Sequence, residues 1–180
     1  MMSATETLRN DHRQIRRLEK IVVQAYTRLY AGQDVPFQDL EKMVEIMLEF
    51  LDAIHYSREE DAYFACVGSY GTLKEEIRAF MIEHELSRRI AGNISRHLQR
   101  WKKGEDAREP VARFLKAYAV YLDDHLKKED AFFDLAEKEV LSPEEEKMMY
   151  EEFRAVNATV SKLEDLVKSI GCLEKAEWMS

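Results

Sequence analysis

The chain is interrupted too rarely to fold as anything but long helices. Its 180 residues contain only six glycines and three prolines. Most of them fall in a few short joints: Ala31 to Pro36, Gly68 to Gly71, Gly104, and Ser142-Pro143. Between the joints, apolar residues return every three or four positions, the period of a helix buried along one face. A turn-rich β fold would need many more breakers.

The spacing predicts five helices. The first covers 4–30, with Ser3 and Glu6 as a capping box and an inward stripe of Leu8, His12, Ile15, Leu18, Val22, Ala25 and Leu29. The second covers 36–67, with Pro36 at its first position and a stripe of Leu40, Val44, Met47, Leu51, His55, Glu59, Ala62 and Cys66. The third starts after Thr72, which has Glu75 three residues on, and ends at Gly104. Its stripe is Leu73, Ile77, Phe80, His84, Ser87, Ala91, Ile94, Leu98 and Trp101. The fourth runs from Pro110 to Val140 on Val111, Leu115, Tyr118, Leu122, His125, Glu129, Phe132 and Ala136. Ser142-Pro143-Glu144-Glu145 then reads as cap, proline and returning glutamate. It opens a fifth helix over 143–170, with Met149, Phe153, Val156, Val160, Leu163 and Val167 on one face.

Short joints force the first four helices to run alternately up and down. The expected fold is therefore all-α: one domain over 1–180, an up-down-up-down four-helix bundle over 4–140, an additional C-terminal helix, and a loosely held tail over 171–180. The fifth helix either covers the bundle or offers a homodimer surface.

The net charge is −8, and no basic stripe with interleaved aromatics is present, which argues against a nucleic-acid partner. Arg96 to Lys103 reads as a basic last turn that complements a helix end. Cys66 and Cys172 suit neither a disulfide framework nor a CxxC site. Met1 to Asn10 lacks the basic start and apolar run of a signal peptide, and no stretch is long and apolar enough to span a bilayer. The expectation is a cytoplasmic protein with no membrane partner.

Four of the stripes carry a histidine where an aliphatic residue would be expected, and two carry a glutamate one turn later. Side chains at i and i+4 share a helix face, so His55 with Glu59 and His125 with Glu129 can each reach one ion. Spacing alone is weak, since two such pairs arise by chance in about 10% of chains of this composition. Depth is the stronger argument. His12 and His55 are about equally far from their joint, and so are His55 and His84, and His84 and His125. With a rise of about 1.5 Å per residue, antiparallel neighbours bring all four to within about one turn of the same level. Two unpaired carboxylates there would be strongly destabilising, whereas a metal centre takes ionised glutamate and neutral histidine together. His97 serves as the control: it lies 13 residues beyond His84, about 20 Å along the axis and on another face, and reads as a surface histidine.

Six nitrogen and oxygen ligands exceed what one tetrahedral zinc accepts, and no thiolate joins them. Imidazole with carboxylate suits iron, and carboxylates from opposite helices can bridge two ions; zinc or manganese in the same cage stays open. The Glu-x-x-His pattern of ferritin-type sites is absent, because Asp52, Met81 and Leu122 stand three before His55, His84 and His125. Asp61, Asp124 and Asp130 stand where they can orient ligands, although a solvated face explains each equally well. Tyr118 and Tyr121 lie within about a turn of His125, where core packing outweighs a role in bonding a ligand.

The order His, His-x-x-x-Glu, His, His-x-x-x-Glu on successive helices resembles the hemerythrin-like (HHE cation-binding) family. The matching segments are Asp11-His12, His55 to Glu59, Glu83-His84-Glu85 and His125 to Glu129, with Glu59 to Phe64 and Leu141 to Glu145 also family-like. The resemblance covers about 5–160. It implies that His12, His55, His84 and His125 are terminal ligands of two non-haem iron ions. It further implies that Glu59 and Glu129 bridge the irons beside an oxo or hydroxo group. Glu60 is a rival for Glu59, but it points a further 100° round the helix. Oxygen-carrying members use a fifth histidine in a His-x-x-x-His pair on the third helix, where this chain has Phe80 and Arg88 around His84. That departure turns the expectation from a simple oxygen carrier to a protein that binds or senses dioxygen, nitric oxide or iron. The alternative is an enzyme or iron donor that reduces nitric oxide or peroxide or restores iron–sulfur clusters.

Overall fold

The computed structural model describes residues 3–155 and 157–180 and contains no strand among them. Helix α1 is Ala4–Tyr30. It starts where Ser3, in an extended conformation, accepts the Glu6 N–H through its Oγ at 3.1 Å. The Glu6 carboxylate pairs with Arg13 instead of reaching back, so only half of the expected box forms. Helix α2 is continuous over 37–69, with Pro36 just outside its first turn. Two of its segments, Met47–Tyr56 and Arg58–Tyr63, are wound in the wider π geometry.

Helix α3 is Lys74–Lys102. The Thr72–Glu75 cap expected there is not made; Leu73 takes the cap position in a left-handed conformation, φ 54°. Gly71 just before it, φ 79°, permits the sharp reversal. Helix α4 is Arg108–Glu139 and begins two residues ahead of Pro110, which sits harmlessly in the first turn.

The single fifth helix expected over 143–170 is two helices, α5 at Pro143–Arg154 and α6 at Asn157–Leu173. Of the stripe read for it, Val156 lies outside the described residues, and nothing is described of the Val160 side chain. The Ser142–Glu145 capping box is complete. Gly171 does not end the helix, and the tail is not loose. Trp178, in a closing turn at Glu177–Met179, is buried and donates its Nε1–H to Asp39 at 2.6 Å. Glu174 takes two bonds from Arg17 at 2.6 and 2.8 Å. A glycine near a helix end suggested a stop, but the apolar anchors Leu173 and Trp178 beyond it decide the outcome.

Helix α1 packs along α4 and α2, and α3 closes the opposite side against the same two. Helices α5 and α6 lie on the outside, chiefly against α1 and α2. The apolar interior comes in two parts. One is built on residues such as Ile15, Leu18, Phe50, Leu51, Ile94, Leu115 and Leu122. The other is aromatic, with Tyr63, Phe64, Phe80, Phe132 and Phe133. The histidine on α1 and α3, and the glutamate one turn beyond the histidine on α2 and α4, fall between the two, so a polar layer divides the core. Each fully buried Leu, Ile or Phe contributes about 1.5–3 kcal/mol, and this stabilisation offsets the cost of that layer.

Candidate metal centre

All six residues singled out in the sequence meet in the dividing layer and are buried. Glu59 and Glu129 have no exposed surface at all. His12 and His55 form one pair with ring centroids 5.1 Å apart; His84 and His125 form a second pair at the same separation. The carboxylates lie between the pairs, and each divides its oxygens between them. Glu59 places Oε1 3.3 Å from His55 Nε2 and Oε2 3.3 Å from His84 Nε2. Glu129 places Oε2 3.3 Å from His12 Nε2 and Oε1 3.2 Å from both His84 and His125 Nε2. Two groups with ligand-type atoms within 4.8 Å of one another result: His12, His55, Glu59 and Glu129, and His84, His125 and Glu129.

Most of the convergent atoms are left without partners; the exception is His84 Nε2, 3.2 Å from Glu129 Oε1. Nε2 of His12, His55 and His125, both oxygens of Glu59 and Oε2 of Glu129 are buried and make no hydrogen bond. Such atoms are costly in a protein interior unless something binds them. Lone pairs of three imidazoles and two carboxylates aimed at one space are the donor set of a cation, so these residues fit a metal centre.

The outer nitrogens are held in a closed ring. Each Nδ1 faces a carboxylate from the preceding helix: Asp11 on α1 holds His55 (3.4 Å), Glu60 on α2 holds His84 (2.7 Å), and Glu83 on α3 holds His125 (2.7 Å). Asp130 on α4 holds His12 at 2.7 Å and completes the circuit. Behind each carboxylate stands a cation from the histidine's own helix, three or four residues on. Arg16 bonds Asp130 (2.9 Å), Arg58 bonds Asp11 (2.8 Å), Arg88 bonds Glu60 (2.9 Å), and Lys128 bonds Glu83. An Nδ1–H donated outward leaves the Nε2 lone pair free to face inward, which fixes the tautomer that metal binding needs.

This ring corrects three sequence readings. Glu60 is no rival to Glu59 but the partner of His84. Of the three candidate orienting aspartates, only Asp130 serves a histidine. Asp124 is exposed and pairs with Lys128, and Asp61 is exposed. The residues missed, Asp11, Glu60 and Glu83, each sit one position from a site residue, and a helical turn of about 100° aims them at the neighbouring helix. Truncating Glu83 to alanine should therefore weaken metal binding by about 10–100-fold in a chelator competition, with Asp124→Ala unchanged.

The ring also sets the charges. Burial opposes charge on His12, yet Asp130, Glu129 and Glu59 hold its imidazolium well above the ordinary range. Burial likewise opposes His84, but Glu129, Glu59 and Glu60 raise it to about 11. His125 is raised as well, against burial, chiefly by the charge of Glu129. Burial would push Glu129 up, but the charge of His125 and the close approach of His12 and His84 hold it well below the usual carboxylate range. Tyr56 stacks on His84 at 3.8 Å and Tyr121 on His125 at 4.8 Å. Their hydroxyls lie 3.1 Å apart, and Tyr56 donates to Ser87 at 2.9 Å, with Tyr118 beyond. His97 stacks on Phe114, away from this cluster.

An all-helical fold whose core is split by a buried, self-oriented histidine–carboxylate cluster defines a helical bundle with a candidate metal centre. The chain belongs to the hemerythrin HHE cation binding domain family, whose model matches residues 3–136. It is also similar to an uncharacterized protein of Mycobacterium bovis and to uncharacterized proteins from two strains of Mycobacterium tuberculosis. Each is 22% identical over 98% of this chain and 74% of the relative. No solved structure matches the chain significantly. Among the described residues, no helix is long and apolar enough to cross a membrane.

Proposed function

We propose that this chain is a cytoplasmic, non-haem di-iron protein that binds or senses dioxygen or nitric oxide, or iron itself, within an up-down-up-down four-helix bundle. The observation that carries this reading is the division of the Glu59 and Glu129 oxygens between two histidine pairs. Carboxylates so placed suit two ions side by side, and imidazole with carboxylate and no thiolate suits iron. Bound iron would supply a Lewis-acidic, redox-active centre for a diatomic ligand. The protein's own part is to hold His12, His55, His84 and His125 in one tautomer, to share Glu59 and Glu129 between the two halves, and to exclude water with Phe80, Phe132 and Phe133. With four histidines and two shared carboxylates, the ligand set leaves room for a small molecule on either ion.

The hydroxyl chain through Tyr121, Tyr56, Ser87 and Tyr118 favours a second reading, an enzyme that reduces nitric oxide or peroxide. Those reductions consume protons, and the chain holds exchangeable protons beside His84 and His125. Purified protein distinguishes the two. Iron per chain is counted, and visible spectra are recorded with and without air and nitric oxide. A stable, gas-dependent band supports binding or sensing, and turnover of peroxide or nitric oxide supports the enzyme. Delivery of iron to an apo-cluster acceptor marks an iron donor. A protein that takes up no iron when iron is supplied overturns all of these.

A further inference from the structure

At the far end of the bundle the chain builds a second cleft, of about 820 Å³. It opens beside Arg28, which lies 16 residues beyond His12 on α1, or about 24 Å by the helical rise. That volume is in the usual range for small-molecule sites. Both tryptophans of the chain, Trp101 and Trp178, line it together with Phe37. Phe37 meets Trp101 edge-on, with centroids 4.9 Å apart.

The polar groups of the cleft are committed to one another, except Arg28 and the exposed Glu177. Arg108 lies over the Trp101 ring and is bonded to Asp34 at 2.6 Å and to the Gln33 carbonyl at 3.1 Å. Asp39 accepts the Trp178 indole N–H. Arg28 lines the same cleft, its side chain makes no hydrogen bond or ion pair among the described residues, and its Nε is buried without an acceptor. A cation in the last turn of α1 complements the helix dipole, but the dipole does not require a desolvated Nε–H. The C-terminal turn supplies one wall, so docking of Trp178 completes the cleft.

A free guanidinium among three aromatic rings matches a flat molecule with an anionic head. A carboxylate takes parallel N–H bonds from the guanidinium fork, and the ring packs against the indoles. We infer that this cleft is a binding site for a planar aromatic carboxylate, with Arg28 holding its head and Trp101 and Trp178 its ring. This site is independent of the metal centre and of the function proposed for it.

Three probes that share one ring system test it: naphthoate, naphthylmethanol and naphthylmethylamine. The readout is the pair of indole N–H proton resonances of the full chain, both of which report on this cleft. Naphthoate should shift both resonances saturably, with half-saturation at or below about 1 mM. Naphthylmethanol should bind at least tenfold more weakly, and naphthylmethylamine more weakly still. Arg28→Leu should weaken naphthoate about tenfold, a change of about 1.4 kcal/mol, and leave naphthylmethanol unaltered. Unchanged melting of that variant shows that its fold is intact. Absence of a saturable indole shift, equal binding of all three probes, or indifference of naphthoate to Arg28→Leu would overturn the site.

Discussion

Replacing Glu129 with glutamine should empty the centre of most of its metal. Glu129 is the one residue common to both groups of convergent ligand atoms, with one oxygen toward His12 and the other toward His84 and His125. Glutamine keeps the shape but presents one carbonyl oxygen and one NH2 group. The NH2 cannot ligate, and its hydrogens face either imidazole lone pairs or the ion itself. One negative charge is lost in a fully buried layer, where charge is least screened. If the centre holds two ions as proposed, metal content should fall from about two per chain to less than one.

The same substitution should nearly erase the stabilisation that metal confers. Metal bound only by the native state raises its stability through mass action, and a hundredfold loss of affinity removes about 2.7 kcal/mol of that gain. The measurement is the difference in melting temperature between metal-loaded and chelator-treated protein, for wild type and variant. Glu85→Gln, an exposed residue paired with Arg89 on the same helix as His84, should leave both metal content and that difference unchanged. A Glu129→Gln protein that keeps its full metal complement and melting difference would sink the shared-carboxylate arrangement.

Much of this was legible in the sequence because helical periodicity and joint spacing are local quantities. Four histidines on four stripes at matched depth needed only the rise per residue to be placed together. The π winding of α2 left a trace that a fixed 3.6 period passes over. Met47, Leu51, His55 and Glu59 are separated by three successive steps of four, each overshooting a normal turn by about 40°. A wider turn cancels that drift and keeps His55 and Glu59 on one face. The orienting ring was harder to read, because its bonds run between helices. Its sequence trace is a basic residue three or four places after each histidine: Arg16, Arg58, Arg88 and Lys128. Read singly, each is an ordinary surface cation; only the geometry shows that all four brace a carboxylate. Two of the departures, at Leu73 and in the C-terminal tail, come from tertiary packing overriding a local signal. Thr72 carries the better capping side chain, yet Leu73 takes the cap position, and Trp178 anchors residues whose composition reads as a free end.

Metal binding should release protons, and acid should reverse it. Around the centre stand the carboxylates of Glu59, Glu129, Asp11, Asp130, Glu60 and Glu83, braced by Arg16, Arg58, Arg88 and Lys128, of which Arg88 is shared with Asp52 and Lys128 with Asp124. Negative charge is in excess, and without metal it is balanced by protons on the histidines. That is why His12, His84 and His125 are all raised, His84 to about 11. Ions that take the Nε2 atoms must displace those protons. Calorimetry in buffers of different ionisation enthalpy should find protons released as metal loads, and affinity should fall steeply as pH is lowered. The metal-free protein should behave in the opposite sense on the alkaline side. A histidine raised on folding adds stability that is complete below its unfolded value near 6.5 and is lost as pH climbs through its folded value. Chelator-treated protein should therefore lose stability progressively from neutral pH toward 11, a loss the metal-loaded protein does not share because its histidines are already unprotonated. Parallel stability profiles for the two forms, with no proton release on loading, would show that the imidazoles do not face the ion.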